Sequence, residues 1–86
     1  MKGVKEVIKQ ASAKTIRVLS LFEMLNSGEI IKKKEAAERF DVSEKTILRD
    51  LKEINIYYSK YKYHTLVNSV AYNRVEKGYF LKVRNA

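Results

Sequence analysis

Residues 42–54 read Val-Ser-Glu-Lys-Thr-Ile-Leu-Arg-Asp-Leu-Lys-Glu-Ile. Ser43 suits a helix N-cap, because its hydroxyl can accept a backbone N–H that the first turn leaves without a partner. Glu44 then falls in the first turn, where the helix dipole favours an anion. A full capping box would place Glu or Gln three residues after the cap; Thr46 stands there instead. Ile47, Leu51 and Ile54 recur at i, i+4 and i+7, the spacing of one buried helical face. Lys45, Leu48, Arg49 and Lys52 keep the same rhythm on another side. One helix therefore buries an aliphatic stripe and presents cations elsewhere. Taken alone, such a cationic face is an ordinary solvated surface, and the residues upstream decide between the readings.

Those residues, 35–40, read Glu-Ala-Ala-Glu-Arg-Phe. They predict a short helix with two small residues side by side, where a second helix can cross closely. Asp41, Val42 and Ser43 form a brief connection without proline. A short alanine-bearing helix, a tight turn and a capped second helix describe a helix-turn-helix. The second helix of that motif enters the major groove of DNA with its N-terminal residues toward base edges.

The run from Lys32 to Ile54, KKKEAAERFDVSEKTILRDLKEI, resembles the helix-turn-helix of the DeoR and WYL-type bacterial transcription regulators. Their pattern is an alanine-containing helix followed by Val-Ser-x-x-Thr-Ile-x-Arg-Asp-Leu. Val42, Ser43, Thr46, Ile47, Arg49, Asp50 and Leu51 fall on it position for position. Residues 17–25, Arg-Val-Leu-Ser-Leu-Phe-Glu-Met-Leu, resemble the first helix of that family. Gly78-Tyr79-Phe80-Leu81 resembles the close of its wing, so the likeness spans roughly residues 13 to 83. Other regulator families, among them antiterminators with sugar-transport regulatory domains, share the winged arrangement. The resemblance implies a DNA-binding transcription regulator; the lack of cysteine, of a membrane span and of a signal-like segment makes a cytoplasmic protein the default expectation. It also implies a large C-terminal domain sensing a sugar phosphate or other ligand, which these residues do not supply. The chain is expected to be either the DNA-binding part of such a regulator or a short stand-alone one.

Length and charge agree with that expectation. The 86 residues suffice for one small domain. Eighteen Lys and Arg against ten Asp and Glu give 18 − 10 = +8, a surplus suited to a polyanion. With no cysteine, disulfides and cysteine-bearing zinc sites are excluded. No apolar run approaches the roughly 18 residues of a membrane span, and residues 1–12 lack the apolar segment of a signal peptide. No glycine-rich phosphate loop, paired-histidine metal motif or nucleophile elbow is present. With His64 the only histidine, neither a metal site nor a Ser-His-Asp arrangement has much to build on. The reading is a non-enzyme without a cofactor.

Along the chain, Val4, Val7, Ile8 and Ala11 recur at i, i+3, i+4 and i+7, and Val18, Leu21, Phe22 and Leu25 repeat the spacing. Either one helix runs from about Gly3 to Asn26, or two meet near Ser12, which would cap the second. The continuous helix is favoured, since no Gly or Pro interrupts it. Residues 1–12 then form a helical extension to a domain of residues 13–86. Ile16, Leu19 and Met24 lie off the main stripe, so this helix is apolar over much of its circumference. Either it leaves a few methyls exposed, or it receives a partner helix from a second subunit or a missing domain; two such helices would join a homodimer. Gly28 is placed for a left-handed C-terminal cap. Ile30 and Ile31 suggest a brief strand against the wing. Lys32 stands where a Ser or Thr cap is usual.

Tyr57, Tyr58, Tyr61 and Tyr63 alternate loosely with Lys60 and Lys62. They invite a reading as a stacking platform for unpaired bases, although Tyr58 also continues the buried stripe. From Val70 the period becomes two. Residues 70–84 predict a hairpin wing that turns at 75–78, with Gly78 free to take a positive φ. A further strand over residues 65–68, through a turn at Asn68-Ser69, is an added expectation.

The predicted fold is α+β and mostly α: a winged helix-turn-helix with a long first helix, a three-helix core and a C-terminal hairpin. The predicted function is sequence-specific binding of double-stranded DNA, with recognition helix 43–58 in the major groove. Lys45, Thr46 and Arg49 are the base-edge candidates; Arg49 suits guanine through a bidentate contact. Glu44 either accepts from cytosine or only serves the dipole. Ser43, Lys33, Lys34 and Lys52 are phosphate candidates, and Lys77 with Arg74 would contact the flanking backbone or minor groove. Asp50 is read as structural, pairing with a cation to orient Arg49 or brace the second helix. Competing readings are a winged-helix protein-interaction module and single-stranded RNA binding through residues 57–63.

Overall fold

A computed structural model of the chain describes residues 12–61 and 66–85. Expectations that fall on residues 1–11 and 62–65 lie outside them. The element order is α1 (Ala13–Asn26), α2 (Lys33–Phe40), α3 (Glu44–Tyr61), β1 (Leu66–Asn73) and β2 (Gly78–Asn85).

Ser12 starts α1. Its backbone is non-helical (φ −58°, ψ 135°), and its Oγ accepts the Thr15 N–H at 3.2 Å. The favoured unbroken helix from Gly3 to Asn26 is therefore corrected: Ser12 is a non-helical cap and α1 begins at Ala13. A hydroxyl that satisfies a free first-turn N–H favours a helix start at that residue without any glycine or proline. At the other end Gly28 takes φ 86°. Its N–H donates to the Leu25 carbonyl at 3.1 Å, and the Glu29 N–H to Met24 at 3.0 Å. This pair of contacts is the Schellman closure expected of a left-handed glycine.

α2 begins after Lys32, which makes no side-chain cap, and ends at Asp41. Asp41 adopts the left-handed conformation (φ 55°, ψ 51°). The Val42 N–H reaches the Ala37 carbonyl at 2.9 Å. The closure repeats that of α1 with aspartate in the glycine position, which a short polar side chain tolerates best after glycine. This turn sets the angle between α2 and α3. Ala36 and Ala37 are buried in the crossing.

Ser43 caps α3 as the sequence predicts. Its Oγ accepts the Thr46 N–H at 3.1 Å and is hydrogen-bonded to the Thr46 hydroxyl at 3.0 Å. α3 continues to Tyr61, three residues past the expected end. Ile47, Leu51, Ile54 and Tyr58 are at most 3 % exposed, and with Leu21, Leu25 and Ile31 they form the core. Buried Tyr58 keeps its polar end satisfied by donating its hydroxyl to Asn26 Oδ1 at 2.8 Å.

β1 and β2 pair antiparallel from Leu66↔Asn85 to Asn73↔Gly78. Ile31 and Tyr79 exchange two backbone hydrogen bonds, both at 2.7 Å, so the expected strand before α2 is a single bridge on the outer edge of β2. On the other edge, Asn55 of α3 accepts the Val70 N–H at 2.8 Å. That contact covers an otherwise open strand group and ties the wing to α3.

Two wing expectations are corrected. No turn interrupts β1 at Asn68-Ser69, which pair with Val83 and Lys82. The hairpin turn occupies residues 74–77, and Lys77, not Gly78, takes the positive φ (56°). Asn73 Oδ1 organises the turn by accepting the N–H groups of Val75 (2.9 Å) and Glu76 (3.0 Å). Gly78 serves close approach instead. A Cβ there would collide with Ile30 Cγ2 and sit 3.1 Å from the Ile31 carbonyl oxygen.

Candidate nucleic-acid interface

α3 carries the interface, and its orientation follows from what it buries. With Ile47, Leu51, Ile54 and Tyr58 facing the core, the helical period places Lys45, Arg49 and Lys52 on the opposite side. All three are exposed. None makes an ion pair or hydrogen bond among the described residues. Thr46 is half-buried, because its hydroxyl lies against Ser43. Its base-edge candidacy is narrowed accordingly: Ser43 and Thr46 spend one hydroxyl contact on each other.

α2 supplies the neighbouring surface. Lys33 and Lys34 are exposed in its first turn. Lys33 Nζ lies 3.8 Å from Glu44 Oε1, with both side chains about half exposed (47 % each). Glu44 thus has two partners, the α3 dipole and Lys33. A pair so open to water is a weak, salt-screened contact. Arg74 and Lys77 are exposed in the hairpin turn, and Lys77 is the residue with the left-handed backbone. All ten candidate residues therefore reach the surface of three adjoining elements, with Thr46 only partly open.

Asp50 follows Arg49 directly and is buried, 1 % exposed. Its partner is Arg17 of α1: Nε contacts Oδ2, and Nη2 donates to Oδ1 at 3.2 Å. Asp50 is structural, as the sequence suggests, but it locks α3 to α1, neither orienting Arg49 nor bracing α2. The hydrogen bond to Asp50 raises the Arg17 pKa above its usual value, against the opposing pull of burial. The sequence carried a signal for this pair. Arg17 lies one turn before Leu21 and two before Leu25, a cation on an apolar stripe, and such a residue needs a buried partner. Lys14 and Glu53 make a second, exposed link between the same helices at 3.4 Å.

The tyrosine segment does not form an open platform over its described part. Tyr58 is buried, and Tyr57 and Tyr58 pack on Phe22 with ring centroids 5.8 and 5.6 Å away. Burial pushes the Tyr58 hydroxyl above its ordinary pKa.

Three helices with a tight α2–α3 turn, followed by an antiparallel hairpin docked on α3, define a winged helix-turn-helix. Residues 17–65, more than half of the chain, match the DeoR-like helix-turn-helix domain. The chain belongs to that family of DNA-binding domains of transcription regulators. The match covers all three helices from Arg17 on and stops before the hairpin. No curated protein and no solved structure matches the chain. Among the described residues no helix is long and apolar enough to cross a membrane, and no group of His, Asp or Glu is placed to hold a metal ion.

Proposed function

We propose that this domain binds specific sites in double-stranded DNA, with the N-terminal half of α3 in the major groove and the hairpin turn on the flanking backbone. One observation carries the reading: α3 is capped, held by its buried face, and turns three cations that are unpaired among the described residues, Lys45, Arg49 and Lys52, to solvent beside the first turn of α2. Arg49, one helical turn past Lys45, has the planar fork that matches the two acceptors of guanine. Lys45 reads the adjacent base, and Thr46 adds a contact through its methyl group or its remaining hydroxyl capacity. Lys33, Lys34, Lys52, Arg74 and Lys77 hold phosphates; Ser43 adds one uncharged contact. Lys33 is released by Glu44 as a phosphate takes over.

Five cationic phosphate contacts imply that log K falls with log salt at a slope of about −4.5. Titrating labelled duplex DNA and single-stranded RNA at two salt concentrations tests the reading. Preference for duplex with a slope near that value supports it. Equal or stronger binding to RNA, or no binding to either, refutes it.

A further inference from the structure

α3 and the hairpin do not close on each other completely. A cleft of about 250 Å³ lies between them, lined by Leu48, Leu51, Lys52 and Asn55 of α3 and by Val70 and Tyr79 of the hairpin. Tyr72 stands beside it. It pairs with Tyr79 across the strands and follows Val70 by two positions, so it shares their face of the sheet. Its ring packs on Tyr79 with centroids 4.9 Å apart, yet it is 50 % exposed. We infer that this cleft seats one sugar-phosphate unit of the DNA strand bordering the major groove, and that Asn55 and Tyr72 are its uncharged donors beside Lys52. The inference rests on the proposed binding of duplex DNA and adds to it a seat for the backbone and two contacts.

Three observations carry it. The first is position. Lys52 extends the exposed Lys45–Arg49 face on one side of the cleft, and Arg74 and Lys77 stand in the hairpin turn on the other. A duplex with α3 in its major groove and the hairpin turn on its flanking backbone runs the strand between those contacts past the mouth of the cleft. The second is the set of donors. Asn55 Oδ1 is fixed by accepting the Val70 N–H at 2.8 Å, which leaves the amide hydrogens on Nδ2 without a partner among the described residues. The Tyr72 hydroxyl and the Lys52 ammonium have no hydrogen-bond partner among them either. An ammonium, an amide and a phenol all donate to anionic oxygen, the usual chemistry of phosphate contacts. The third is the floor. Leu48, Val70 and Tyr79 are half-buried and leave an apolar surface between the donors. Such a surface suits the carbon face of a deoxyribose, which a free inorganic anion lacks. Of the neighbouring acids, Glu53 is turned to Lys14 of α1, and Glu76 lies beyond Tyr72 in the hairpin turn.

The probe is the duplex that the native domain enriches from a random pool. It is bound with all natural phosphates, and again with a neutral methylphosphonate at each backbone position in turn. Tyr72→Phe keeps the ring packing and removes one hydroxyl. Asn55→Asp keeps the oxygen that accepts the Val70 N–H and replaces the amide donor with a carboxylate. Tyr72→Phe should bind the natural duplex about tenfold more weakly, the scale of a hydrogen bond to a charged group. Its salt slope should match the native one, because an uncharged donor displaces no counterion. Asn55→Asp should lose roughly tenfold or more, since it removes a donor and sets a like charge against the phosphate. At one methylphosphonate position the Tyr72→Phe loss should shrink below about twofold, as expected when one change has already removed the contact. Equal melting of the variants and the native domain, with the Val70 amide still slow to exchange in Asn55→Asp, verifies the fold; where Asn55→Asp melts earlier, Tyr72→Phe decides alone. Native-like binding by Tyr72→Phe, or the same loss at every methylphosphonate position, overturns the seat and leaves duplex binding standing. Failure of the native domain to bind any duplex overturns duplex binding and the seat with it.

Discussion

Arg17→Met should be among the most damaging single substitutions in this domain, although Arg17 is buried and is not one of the proposed DNA contacts. The change keeps a long unbranched stem but removes both guanidinium contacts to Asp50. The Asp50 carboxylate, 1 % exposed, is then buried without a counter-charge. Losing one partner of a buried ion pair costs about 3–5 kcal/mol. At roughly 0.05–0.15 kcal/mol per residue a domain of this size holds only about 4–13 kcal/mol in all. Replacing both partners, Arg17→Met with Asp50→Leu, removes the stranded charge and should restore most of the stability. Urea denaturation followed by circular dichroism measures this. With a slope of roughly 1–3 kcal/mol per molar urea, Arg17→Met lowers the midpoint by at least about 1 M, and the double variant recovers it. The pair would behave as an exposed one if Arg17→Met cost less than about 1 kcal/mol. Simple addition of the two single losses in the double variant would likewise deny the coupling.

The remaining expectations are narrower. Leu51→Ala removes a core side chain and should cost about 2–5 kcal/mol, against clearly less for half-buried Leu48→Ala; equal losses in a urea titration would mean that α3 is rotated from its described orientation. Gly78→Ala should cost roughly 1–3 kcal/mol by pushing on Ile30 and the Ile31 carbonyl. Hydrogen exchange at the Ile31 and Tyr79 amides should then speed up, and an unchanged rate would show that the contact relaxes freely. Tyr58 is protonated in the native state with a raised pKa. Its contribution is present below the ordinary tyrosine value of about 10 and is lost as pH rises through the folded value. In an absorbance titration one tyrosine should therefore ionise later than the exposed ones, together with unfolding; normal titration of all six would contradict its burial.

The helix-turn-helix was legible because each of its parts has a local cause. Ser43 caps α3, the Ile47–Tyr58 stripe faces the core at helical spacing, and Ala36 and Ala37 permit the close crossing. The misreadings share a different cause, for each depends on a partner distant in sequence or on a backbone state the residue type does not announce. Asp50 and Arg17 are 33 positions apart. Lys77 takes the left-handed φ because Asn73 fixes the turn one residue earlier, leaving Gly78 to pass beneath Ile30. Ser12 can cap a helix, but no Gly or Pro marks a break there in the sequence. At the DNA face, residue type and helical phase indicated which side chains reach the surface. They did not reveal that Lys33 meets Glu44, or that Thr46 leans on Ser43.

The most direct test of duplex readout by α3 is a selection from randomised duplexes, run in parallel with the native domain and with Arg49→Ala. The native domain should enrich a defined site containing a guanine. Arg49→Ala should bind that site about 1–3 kcal/mol more weakly and lose preference at that one position, keeping it elsewhere. Lys77→Ala, run beside it, should weaken all duplexes alike and reduce the salt slope by about one. If Arg49→Ala enriches the same site with the same preference at every position, α3 does not read bases through Arg49.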